Sequence, residues 1–240
     1  MRDFKPFLTG RGQLDGARLV LPTASRERYS DAQLDDYGFP PPRSFPHRPP
    51  FSLSMRARFS SPHILGTAGF GLWNHPFAPN GGWPRLPRAL WFFYASPPSN
   101  MQLALDVPGF GWKAAAIDAT RPSAWALIPF APLSLLLNRS ARLYRRTWPI
   151  VQRGLRIAER PLPLDLMSDW HMYSIEWETN RARLSVDGEI VLETSRPPLG
   201  SMGFVIWIDN QFAVVTPTGT LRFGLLDVAE PQWLEVEIEA

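Results

Sequence analysis

The chain has 240 residues, 45% of them hydrophobic, and a formal net charge of +3. That length and apolar content suit one all-β domain, 1–240, with a sizeable core. No cysteine is present, which excludes disulfides, thiolate metal sites and a cysteine nucleophile.

In chain order, Ala17-Arg18-Leu19-Val20-Leu21 reads as a strand, and Tyr29 to Tyr37 as a second. Pro40 to Pro50 is too rich in proline to hold a central strand. Then Phe51, Leu53, Met55, Ala57 and Phe59 alternate with polar residues, the pattern of a half-buried strand. Gly66-Thr67-Ala68 leads into a strand that ends at Trp73-Asn74-His75. A loop at 76–88 precedes Ala89-Leu90-Trp91-Phe92-Phe93-Tyr94-Ala95, apolar on both faces and so expected in the middle of a sheet. Met101–Val107 and Trp112–Ala119 read as a hairpin around Pro108-Gly109-Phe110-Gly111.

Residues 121–168 break the β pattern. The period turns helical from about Leu133 to Arg160, and Arg139, Arg142, Arg146, Arg153, Arg156 and Arg160 recur on one helical face. Pro149 marks either the first residue of a second helix or a kink. Residues 121–160 hold eight arginines against a single acid, Glu159, while the rest of the chain has more acidic than basic residues. Strands resume with Trp170–Glu178 and Ala182–Val186, and Asp187-Gly188 is a hairpin turn signal. Further strands are expected at Met202–Ile208, Phe212–Thr216, Thr220–Gly224 and Leu234–Glu239.

The run Trp170-His171-Met172-Tyr173-Ser174-Ile175-Glu176-Trp177, followed by Val186-Asp187-Gly188, resembles a segment of family 16 glycoside hydrolases and their relatives with the concanavalin-A-like lectin/glucanase fold. The resemblance covers about residues 50–240. It implies an all-β, two-sheet antiparallel jelly-roll sandwich with a concave ligand face, here carrying a helical insertion at about 130–160. It also implies a strand bearing two catalytic carboxylates, since retaining glycanases need a pair about 5–5.5 Å apart. The strand at that place, Ala89–Ala95, holds no acid. Trp91, Phe93 and Tyr94 stand there instead, either as core or as the floor of an apolar pocket under the insertion.

Other groups compete for the site. Trp207, Asp209 and Gln211 alternate and would share a ligand face, with Trp207 as a stacking platform; Asp209-Asn210-Gln211 also reads as a plain turn between strands. Trp73 falls where the related enzymes keep a tryptophan facing substrate, beside Asn74 and His75. Asp209 and His75 are the candidate catalytic groups, and Gln33 and Asp35 share a face that would complete a ligand site. His171 reads as a structural hydrogen-bonding residue. No metal centre or cofactor is expected, since Gln33, Asp35 and Asp36 would need ligands from elsewhere.

The candidate partners are a glycan or an apolar small molecule on the concave face, and an anionic membrane surface for Arg139, Arg142, Arg146, Arg153 and Arg156. A solvated face is the plainer reading of those arginines. Nucleic acid is not expected, because no binding motif accompanies the charge. The N-terminal residues lack the layout of a secretory signal and no run of about 18 apolar residues occurs, so the cytoplasm is the default compartment.

Overall fold

The computed structural model describes residues 4–38, 44–75 and 86–238. Residues 40–43 of the connection expected at Pro40–Pro50, and 76–85 of the loop expected at 76–88, thus lie outside the described residues.

The first half of the chain forms β1 (Lys5–Thr9), β2 (Gln13–Asp15), β3 (Arg18–Leu21), β4 (Asp31–Asp35), β5 (Phe51–Phe59), β6 (Thr67–Trp73), β7 (Arg88–Ala95), β8 (Asn100–Met101) and β9 (Gly111–Asp118). Helices α1 (Pro122–Trp125), α2 (Ala131–Leu137) and α3 (Ala141–Gly154) follow. The rest is β10 (Ala158–Pro161), β11 (His171–Trp177), β12 (Ala182–Val186), β13 (Glu189–Thr194), β14 (Gly203–Asp209), β15 (Gln211–Val215), β16 (Leu221–Leu225) and β17 (Gln232–Ile238). No helix among the described residues is long and apolar enough to cross a membrane.

Two seven-stranded antiparallel sheets stack face to face. The first has the order β1-β4-β14-β6-β7-β9-β10, the second β13-β12-β11-β5-β17-β3-β2. This is the expected sandwich. A small third sheet, β16-β15-β8, joins β15 to β8 in parallel.

Alternation decides which side chains meet between the sheets. From β5 come Leu53, Met55, Ala57 and Phe59, and from β14 Phe204, Ile206 and Ile208. The run that carried the family resemblance supplies Tyr173, Ile175 and Trp177, all buried. The Trp177 indole donates to the Pro198 carbonyl at 2.8 Å, which satisfies its one polar atom inside the core. His171 stays at the rim, where its Nδ1 lies 2.6 Å from Asp187 Oδ2 and ties β11 to the Asp187-Gly188 turn.

Two expectations are corrected. The hairpin at 101–119 does not form. β9 pairs instead with β7, Arg88 opposite Asp118, and β8 pairs with β15. Residues 102–110 form a connecting loop, and the Lys113 ammonium holds it by donating to the Pro108 carbonyl at 2.7 Å.

The arginines do not share one long helical face. The chain breaks between α2 and α3, where buried Asn138 donates to the Pro217 carbonyl at 2.8 Å. Helix α3 then runs through Pro149 rather than starting there. Arg156 lies beyond its end in a left-handed conformation (φ 53°) and donates to the Pro197 carbonyl, while Arg160 belongs to β10. Arg142, Arg146 and Arg153 remain on α3.

Candidate functional site

The face of the first sheet turned away from the core gathers most of the residues singled out in the sequence. Trp73 comes from the end of β6, Trp91 and Phe93 from β7, and Trp207 from β14. With Ala89, Ile117 and Val205 they form a second apolar cluster, separate from the core between the sheets. Tyr94 points the other way and donates to the Ile64 carbonyl at 3.1 Å, so alternation removes it from this face.

The rings form a continuous layer. Trp73 and Trp207 lie parallel, 6.0 Å apart and 2° from coplanar orientation. Trp91 stacks on Phe93 at 5.3 Å and 20°. Trp91 also meets Trp207 at 5.5 Å. Small residues on β6 make the layer possible. A Cβ at Gly71 would fall 2.5 Å from the Trp91 Cα, and one at Gly69 would fall 3.1 Å from the Trp207 ring. Leu103, from the connection between β8 and β9, and Ile157, between α3 and β10, pack onto the same cluster. Trp73 and Trp207 are therefore buried, while Trp91 and Phe93 keep part of their surface.

Both buried indoles spend their N–H inside the protein. Trp73 Nε1 donates to the Tyr37 hydroxyl at 2.6 Å, which sits 3.1 Å from His75 Nδ1. The Tyr37 hydroxyl thus links the Trp73 indole to the His75 ring. Burial, then the charge of Asp35, raises the Tyr37 hydroxyl far above its usual range and keeps it neutral. Trp207 Nε1 donates to Thr67 Oγ1 at 3.1 Å, and that hydroxyl donates to Asp209 Oδ1 at 2.9 Å.

The carboxylates lie to one side, on β4 and β14. Asp31, Gln33 and Asp35 share a face, with Asp31 opposite Asp209 and Gln33 opposite Trp207. Asp35 accepts from Gln33 Nε2 at 2.8 Å and from the backbone N–H groups of Tyr37 and Gly38, so it fastens the turn after β4. Asp209 Oδ1 accepts from Thr67 N, Thr67 Oγ1 and Gln211 N, and Oδ2 faces the Tyr29 hydroxyl at 3.4 Å. Asp209 is 4% exposed and Asp31 2%. Burial pushes Asp209 up to about 6, against the pull of those hydrogen bonds. Burial also holds Asp31 well above the carboxylate range, with the Asp209 charge adding to the rise.

Two predicted site residues stand apart from this layer. Gln211 opens β15 and pairs with Leu225 in the third sheet. The Asp209-Asn210-Gln211 triplet is the corner between sheets: Asn210, fully buried, donates to the carbonyls of Ser25, Arg28 and Leu226. Asn74 is a strand-end clamp, donating to the Leu86 carbonyl at 3.0 Å and accepting from Arg88 N at 2.9 Å. Of the residues missed in the sequence, Asp31 had a signal, since it lies two before Gln33. Tyr37, Thr67, Leu103 and Ile157 had none, because they enter through tertiary contacts.

No family model matches this chain, and no curated protein does. Among solved structures, the GlcNAcα1-4Gal releasing endo-β-galactosidase from Clostridium perfringens aligns with 98% of the chain and 57% of its own, at 11% identity and a TM-score of 0.50. The chain has the concanavalin-A-like lectin/glucanase fold. A laminarinase from Flavobacterium sp. UMI-01 aligns at TM-score 0.48, with 11% identity over 99% of this chain and 91% of that one. The Emp47p carbohydrate recognition domain aligns at 0.45, with 13% identity over 98% and 89%. Within this fold, the outer face of β6 and β7 carries no carboxylate in the present chain, and on β9 the outward positions are Gly111, Lys113, Ala115 and Ile117. At the far edge Glu159 is buried against Lys113, 3.3 Å away.

Proposed function

We propose that the protein is a carbohydrate-related binding sandwich that takes a sugar ring or an apolar small molecule against Trp91 and Phe93 without cleaving it. The observation that carries this reading is the stacked, half-buried Trp91–Phe93 pair on the strand where a retaining glycanase needs its acids. Flat aromatic faces suit the apolar face of a sugar ring as well as an apolar ligand. The proteins of known structure with this fold include carbohydrate recognition domains and glycanases, which supports a carbohydrate ligand before others.

The enzyme alternative around Asp209 has less support. Its oxygens are committed to Thr67, Gln211 and Tyr29, and a glycosidic oxygen has no open approach to a carboxyl that is 4% exposed. His75 Nδ1 is likewise committed to Tyr37.

A glycan array on the intact protein, followed by tryptophan-fluorescence titration with the best binder, tests the proposal. Binding is expected in the folded wild type, with affinity reduced about tenfold or more in Trp91→Ala. A folded wild type that binds no glycan and no apolar ligand overturns it, as does undiminished binding by Trp91→Ala. Release of new reducing ends from the bound glycan, lost in Asp209→Asn, would replace it with the enzyme reading.

A further inference from the structure

Sixteen consecutive residues, Pro122 to Leu137, contain no charged side chain. They form α1, a 3₁₀ turn at Ile128–Phe130 and α2, and of these only Ala124 is buried. Trp125 is 57% exposed, Phe130 62%, Leu133 53% and Leu136 61%. On α3, Ile150 is 60% exposed. Soluble monomers rarely leave so many large apolar side chains together in water, and a patch of this kind marks an interaction surface.

Behind the patch lies an apolar cavity of about 460 Å³ between α2 and α3. Leu127, Phe130, Leu133, Leu137, Trp148 and Val151 are among the side chains that line it. The site is not a collapsed core: it stands open, beside the exposed side chains, on the outside of the sandwich.

Its charge is of one sign. Arg139, Arg142, Arg146 and Arg153 are exposed and form no ion pair among the described residues, whereas Arg145 is paired with Asp106. The single acid of the segment, Glu159, is buried on Lys113 and does not offset them. At 100° per residue, Arg142, Arg146 and Arg153 fall on one flank of α3. Leu143 and Ile150 lie between that flank and the cavity side formed by Thr147, Trp148 and Val151.

We infer that the helical insertion docks on a membrane leaflet containing anionic lipid. The uncharged segment from Pro122 to Leu137 enters the boundary between headgroups and acyl chains, the cavity receives an acyl chain, and the arginine flank meets the lipid phosphates. Trp, Phe and Leu on one side with arginines beside them is the arrangement that holds a helix in the plane of the interface. Arginine stems lie along apolar surface while their heads stay at the phosphates. An acidic protein partner would answer the arginines but would need its own matching apolar patch for Trp125, Phe130 and Leu136; a fluid leaflet supplies both at once. The inference is independent of what binds Trp91 and Phe93.

Vesicle flotation of the intact protein tests it, using phosphatidylcholine alone and phosphatidylcholine mixed with phosphatidylserine. The protein is expected to float with the anionic vesicles and to remain in the dense fraction with the neutral ones. Arg142→Glu/Arg146→Glu should lower the bound fraction more than tenfold. Trp125→Ser/Phe130→Ser should lower it as well without disturbing the fold, since both side chains are exposed. The double variants are checked by circular dichroism and by the wild-type thermal transition. A folded wild type that floats with neither vesicle overturns the inference and leaves an acidic protein partner as the reading of the arginines. Flotation unchanged in both double variants overturns it too, because another surface then docks.

Discussion

Asp209 on β14 lies directly opposite Asp31 on β4, on the same face of the sheet, and neither carboxyl reaches solvent. Asp209 takes three hydrogen bonds on one oxygen, whereas Asp31 Oδ1 has no hydrogen-bond partner among the described residues. Both carboxyls are thus held inside the hydrogen-bonded edge of the first sheet.

The pair gives the protein a definite pH signature. Asp209 titrates at about 6 in the folded chain, above the roughly 3.9 of an unfolded aspartate. Between those values the folded state holds more protons than the unfolded state, so this group lowers stability as pH rises through the window. Asp187 and Glu193, both lowered by hydrogen bonds from His171 and Arg183 respectively, work in the opposite sense and gain stability as pH rises. Comparing the wild type with Asp209→Asn separates the two. In urea denaturation from about pH 4 to about pH 7, the variant should gain stability relative to the wild type as pH rises. Parallel pH profiles would show that burial does not raise Asp209.

The buried ion pair at the other edge of the face offers a second test. Lys113 is 1% exposed, and burial lowers its ammonium while Glu159 raises it. Glu159→Ala leaves that ammonium without its counter-charge and should cost about 3–5 kcal/mol. Lys113→Met/Glu159→Leu removes both charges and should recover most of that loss. Equal losses in the single and double variants would show that the pair holds the 102–110 loop by its geometry rather than by charge.

Gly71→Ala probes the aromatic layer. At φ 149° the added methyl falls 2.6 Å from the Trp91 Cβ, and strand β7 cannot yield without moving Phe93. A loss of about 1–3 kcal/mol is expected, together with a changed tryptophan emission spectrum. Wild-type stability and emission would mean that β6 and β7 are not packed this closely.

The sandwich was legible because alternation is strict where a strand has one buried face, as in Phe51–Phe59, and because the Trp170–Trp177 run places three large side chains in the core. At Trp91, Phe93 and Tyr94 the sequence left core and outer face both open, because an all-apolar strand does not tell its two faces apart; Tyr94 lies in the core, and Trp91 and Phe93 on the outer face. Gln211 was grouped with Asp209 by a period that stops at Asn210, where the chain changes sheets. The 101–119 hairpin failed because a Pro-Gly turn marks a bend without saying which strands it joins. The apolar cavity of the insertion draws Leu127 and Leu137, close in sequence, together with Pro217, which is remote. No local pattern carries that information.

The family resemblance began near residue 50, yet β1 and β4 close one edge of the first sheet, and β2 and β3 close an edge of the second. Val20 pairs with Trp233, and Asn210 bridges Ser25, Arg28 and Leu226. The beginning of the sandwich is thus laced to its end. During synthesis, β3 can pair with β2 at once, but its other edge has to wait for β17 to leave the ribosome, and that open edge is exposed to misassembly throughout the delay.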